Sequence, residues 1–116
     1  MTEDPEERVM LALTTEANRS TAEALANTLL ERKLAACIAL QPQRALYWWN
    51  GELQTAEEVQ LLIKCSPALV EALSEAVHAL HSYDTPEWLV WSAESSAGYG
   101  DWIRGLAHPG AAAPAA

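Results

Sequence analysis

Positive charge is scarce in this chain. Its 116 residues include 7 Lys and Arg against 16 Asp and Glu, a formal net charge of -9. Proteins that grip nucleic acid need basic clusters to meet phosphate, so the composition argues against that partner. An anionic membrane surface is disfavoured for the same reason. The negative field gathers cations around the molecule without defining a seat for any of them. Cysteine is scarce as well, with Cys37 and Cys65 alone. Two thiols make no disulfide framework, and each falls in an expected strand, where a small buried thiol is the default. The opening Thr2-Glu3-Asp4-Pro5-Glu6-Glu7 lacks the basic start and apolar stretch of a signal peptide. No apolar run approaches the ~18 residues of a membrane span. A soluble, cytoplasmic protein is expected. Gly-rich phosphate loops, CxxC and HExxH are all missing, and no Ser–His–Asp arrangement is legible from spacing. No catalytic residue is singled out.

What is present is one plan used twice. The length suits a single domain, expected over residues 8–106 between disordered ends at 1–7 and 107–116. Val9-Met10-Leu11-Ala12-Leu13 is a short apolar run that suits a central strand. Ser20 and Glu23 form a Ser-x-x-Glu box that predicts a helix start. Ala22, Leu25, Ala26, Leu29 and Leu30 follow at helical spacing. A second strand is expected from Leu34, with a bulge or an edge at Gln41-Pro42-Gln43 because proline cannot donate to a ladder. Asn50-Gly51 is the preferred pair for a type I′ hairpin. The return strand runs from Glu52 to Cys65, alternating near its end. Ser66-Pro67 predicts a second helix whose apolar face is Leu69, Val70, Leu73, Val77 and Leu80. Pro86 stops it, Trp88 to Trp91 supplies a fourth strand, and a short closing helix is expected over Tyr99–Leu106.

The order β-α-β-β-α-β predicts an α+β, ferredoxin-like fold. Two helices would cover one face of a four-stranded antiparallel sheet. Several strands are nonetheless apolar in both phases, so a partner is expected on the other face. The arms of the hairpin are rich in Trp and Tyr, residue types that supply large contact area at interfaces. A homo-oligomer follows as the expectation.

The chain resembles the CutA family, the divalent-cation tolerance proteins. The matching stretches, in order, are Thr14-Thr15, Thr21-Ala22-Glu23, Glu31-Arg32-Lys33-Leu34-Ala35-Ala36-Cys37, Tyr47-Trp48-Trp49-Asn50-Gly51, Glu57-Glu58-Val59 through Ile63-Lys64, and His81-Ser82-Tyr83-Asp84-Thr85-Pro86-Glu87. The resemblance implies a homotrimer, a cytoplasmic location, a link to tolerance of copper and other divalent ions, and no enzymatic reaction. The family is similar in fold to the PII signalling proteins. That suggests a second reading, a sensor holding a small anion or metabolite in a cleft between subunits.

Three residues are the candidate metal ligands. His81 offers imidazole at a helix end, Cys37 a soft thiolate for copper, and Glu87 a carboxylate at the entry of the last strand. Each has a plainer role available: a helix-terminal histidine, a packed thiol, and a carboxylate bonded to backbone or paired with Lys64. Some family members carry Cys where this chain has Thr14, and His where it has Leu80, so His81 has fewer companions here. Tyr47, Trp48, Trp49, Lys64 and Tyr83 are the candidate cleft and interface residues.

Overall fold

A computed structural model describes residues 8–105. The expected ends, 1–7 and 107–116, lie outside the described residues, as does position 106. The elements are β1 (Val9–Glu16), α1 (Arg19–Glu31), β2 (Cys37–Trp49), β3 (Glu52–Cys65), a 3-10 turn (Pro67–Leu69), α2 (Val70–Leu80), β4 (Leu89–Ala93) and α3 (Ala97–Arg104). The strands form one sheet in the order β2-β3-β1-β4, each pair antiparallel. This is the ferredoxin-like arrangement, with a third helix added.

Local signals explain most element ends. The first helix starts differently from the expected Ser20–Glu23 box. Asn18 is the N-cap; its side chain accepts from the Thr21 N–H at 2.9 Å, and Thr21 Oγ1 accepts in return from the Asn18 N–H. Asn caps as well as Ser does, so the box moves two residues upstream and Glu23 is left to pair with Arg19 at 2.8 Å. The other end closes with Lys33 at φ 59°. There Leu34 N–H donates to Leu29 O and Lys33 N–H to Leu30 O, the two bonds of a Schellman cap. Ser66 caps a 3-10 turn before α2 begins at Val70.

Asn50 and Gly51 have φ of 51° and 77°, the pair of positive angles that a type I′ turn requires. The hairpin is continuous from Cys37↔Lys64 to Trp49↔Glu52. Pro42 stays in the ladder opposite Val59. That is tolerable because β2 is an edge strand with one row of backbone groups outside the sheet. β1 reaches β3 only as far as Val59, so Glu52–Glu58 pair with β2 alone. The distal hairpin is thus a two-stranded arm standing clear of the sheet.

Strand alternation sorts the two faces. One face, with Ala12, Leu61 and Ile63, meets Leu25 and Leu29 of α1 and Leu73 and Val77 of α2 in a single buried cluster. The other face is only partly covered. Lys64 points away from the main core and its ammonium lies 5.5 Å from the Tyr99 ring centroid, which places α3 on this second face. Val9 and Ile103 are buried outside the main cluster. Beside them, Leu89 and Trp91 remain exposed.

Candidate functional site

The connection between α2 and β4 holds most of the polar chemistry. β4 pairs with β1 only from Val9 to Leu13, so the edge of Thr14–Glu16 is left without a strand beside it. Residues 81–83 occupy that edge. The His81 N–H donates to Val77 O and closes the helix; then the chain turns extended, with φ -66° and ψ 146° at His81. The ring Nε2 lies 2.7 Å from the Thr15 carbonyl oxygen. A carbonyl only accepts, so Nε2 carries the proton. Nδ1 then accepts from the Tyr83 N–H at 3.0 Å. The imidazole is the neutral Nε2–H tautomer with both nitrogens in use, and its side chain is 0% exposed.

Glu16 lies on the other side of the same turn, its side chain 2% exposed. It accepts from the Ser82 N–H at 3.1 Å, from the Ser82 hydroxyl and from the Ala17 N–H at 3.2 Å. Burial pushes its pKa up; the Ser82 hydroxyl and N–H and the Ala17 N–H outweigh burial and hold it below the ordinary carboxylate value. Tyr83 crosses to the opposite face of β3 and its hydroxyl donates to Glu58 Oε2 at 3.3 Å. Burial first, then the Glu58 carboxylate, pushes the Tyr83 phenol up to about 12, so it keeps its proton and remains a donor. A pocket of about 210 Å³ opens beside this turn, lined by Glu16, Thr21, Ala24, Leu25, Thr28, Leu80 and Ser82.

A depressed folded pKa makes Glu16 a source of acid sensitivity. Its stabilisation is present above the unfolded carboxylate value, about 4.3, and is lost as pH falls through the lower folded value. Glu16→Gln is expected to cost about 1–3 kcal/mol at neutral pH, because Ser82 loses a charged acceptor. Urea titrations from about pH 7 to 3 should show a steeper acid loss in wild type than in the variant. Parallel profiles would refute the assignment.

The three candidate ligands do not meet. Cys37 is half-buried at the start of β2, register partner of Lys64 on the second face. Glu87 is exposed. Among the described residues no group of three or more His, Cys, Asp or Glu is placed to hold a metal ion. An ion at His81 would have to displace the Thr15 carbonyl or the Tyr83 N–H, so His81 as bonded here does not fit a ligand role. Lys64 does not pair with Glu87; it donates to the Tyr99 hydroxyl at 3.4 Å. Tyr47, Trp48 and Trp49 lie at the far end of β2, ten residues from Cys37, roughly 33 Å along the strand at about 3.3 Å per residue. Within one chain they share no cleft with Lys64.

Sequence reasoning passed over Glu16 and Ser82. The available signal was a charged residue ending an apolar strand, Leu13-Thr14-Thr15-Glu16; that a loop 66 residues away supplies its donors has no local trace. Thr14 Oγ1 is buried beside this strand end with no hydrogen-bond partner among the described residues.

Together these features define a ferredoxin-like domain with a pinned α2–β4 connection and a projecting aromatic hairpin. The family model described as CutA1 divalent ion tolerance protein matches residues 10–105, and the chain belongs to that family. It is 42% identical over 98 residues to the divalent-cation tolerance protein CutA of Pectobacterium atrosepticum, covering 84% of this chain and 87% of that one. The crystal structure of CutA1 from Oryza sativa superposes with a TM-score of 0.83 at 30% identity, over 91% of this chain and 99% of that chain. CutA from Synechococcus elongatus gives the same TM-score at 33% identity, over 86% and 90% respectively.

Proposed function

We propose that this protein serves divalent-cation tolerance, copper included, as a non-catalytic homotrimer that holds ions weakly. One observation carries the assembly: Leu46, Trp48, Trp49 and Leu53 on the hairpin arm are 61–73% exposed. A two-stranded ribbon is marginal in water by itself, and a cluster of large apolar side chains that far from any core marks a surface that another chain covers. The exposed Leu89 and Trp91 on the second face of the sheet add to it. Of the three candidate donors, the side chains of Cys37 and Glu87 make no hydrogen bond or ion pair to a described residue, Cys37 being a free thiol and Glu87 exposed, so they are the groups an adjoining subunit can complete. A cytoplasmic setting suits the two unbridged thiols. No helix of the described residues is long and apolar enough to cross a membrane.

Light scattering should return three times the 12.6 kDa chain mass. Calorimetry with Cu(II) should show weak binding that Cys37→Ser or Glu87→Gln reduces. A monomer would remove the assembly reading. A trimer with no heat of binding would remove the ion-holding half alone.

A further inference from the structure

We infer that His81 is a positioning residue that pins the α2–β4 connection to the end of β1, and not a ligand to the divalent ion. The geometry makes the two roles exclusive. A metal needs a lone pair on a ring nitrogen. Nε2 has given its side of the ring to a proton shared with Thr15 O at 2.7 Å. A metal–imidazole bond of about 2.0–2.1 Å cannot be inserted into that gap. The Nδ1 lone pair is already taken by the Tyr83 N–H. Freeing either nitrogen strands the buried Thr15 carbonyl or the half-buried Tyr83 amide, and buried backbone groups are almost always paired.

The neighbouring contacts show what the ring is for. His81 bonds the backbone of β1 while Ser82 bonds the Glu16 side chain from the same strand with both its N–H and its hydroxyl. The segment is therefore fastened twice to the stretch of β1 that β4 leaves open. Tyr83 follows immediately: its amide is held by Nδ1, its ring lies 4.9 Å from the imidazole, and its hydroxyl reaches Glu58 on β3. Fixing His81 fixes the path by which Tyr83 crosses onto the second face. This holds whether or not the proposed ion binding is correct, since every contact in it lies within one chain.

Glutamine separates the two roles. Its amide supplies an N–H donor and a carbonyl acceptor, covering the pair that the neutral imidazole supplies, but it is a poor substitute for imidazole on a transition metal. Wild type, His81→Gln and His81→Ala are compared by amide hydrogen exchange and by Zn(II) and Cu(II) calorimetry. Exchange at Tyr83 is expected to rise about tenfold or more in His81→Ala and to stay within about threefold of wild type in His81→Gln. The heat of ion binding is expected to be the same in all three. On wild type alone, nitrogen-15 spectra of the ring should show Nε2 protonated and Nδ1 bare, unmoved by Zn(II). Tyr83 exchanging equally fast in both variants overturns the pinning role. So do ring resonances that shift with Zn(II), or ion binding lost in both variants while Tyr83 stays protected. If none of the three proteins binds an ion, the ion-holding half of the proposed function fails, and exchange at Tyr83 still decides this inference.

Discussion

Trp48→Glu combined with Leu53→Lys is expected to abolish the proposed trimer and leave monomers that keep the fold. The two residues are register partners near the tip of the arm, 70% and 68% exposed in the single chain. Nothing in the core touches them, so the monomer has little to lose. In an assembled interface they would be buried aromatic and aliphatic anchors, the type whose truncation commonly costs 2 kcal/mol or more each. Burying a charge in their place adds a desolvation penalty. The association constant should fall by roughly a thousandfold or more, about 4 kcal/mol. The introduced Glu and Lys face one another across the strands and favour the hairpin itself. Light scattering at micromolar protein should therefore report the monomer mass, with far-UV circular dichroism unchanged. A variant that still runs as a trimer would show that the arm is not the contact.

Leu61→Ala is the largest expected loss of stability. Leu61 is fully buried on β3, flanked by Thr14 of β1 and Leu40 of β2, and belongs to the cluster that both long helices cover. Strands on either side cannot move in to fill a void without breaking their ladders, so the cavity persists. Leu→Ala at such sites costs about 2–5 kcal/mol, against a total of about 5–15 kcal/mol for a domain of ordinary stability. Urea unfolding at matched protein concentration should show a lower midpoint at unchanged slope. A loss under about 1 kcal/mol would mean that the two helices do not close over this site.

Fold and site were legible to different degrees, for reasons visible in particular residues. Asn50-Gly51 needs two positive φ angles, and few other turns accept that pair, so the hairpin could be read directly. The alternation of Val59, Leu61, Ile63 and Cys65 named the buried face of β3, and all four are buried. Element ends were less certain. Asn18 and Ser20 are both competent caps, and the helix uses Asn18. Pro42 looked like an interruption and is carried within a continuous edge strand.

His81 shows where local reading stops. Sequence marked it as an imidazole at a helix end, which is correct, and as an accessible ligand, which its burial and two hydrogen bonds oppose. The difference comes from β1, distant in sequence, whose open edge takes both ring nitrogens out of play.

By itself the sequence determined the order of strands and helices, the type I′ turn and the apolar faces of α1 and β3, because dihedral preference and side-chain period are properties of neighbouring residues. Leu80, expected on the apolar face of α2, is exposed. Tertiary structure alone decided that Glu16 would be buried yet ionised, that His81 would bond backbone on both sides of its ring, and that the aromatic arm would stand free of its own core. Those outcomes depend on which groups arrive from elsewhere in the chain to satisfy or expose a side chain, and a buried charge or imidazole takes its character from those partners.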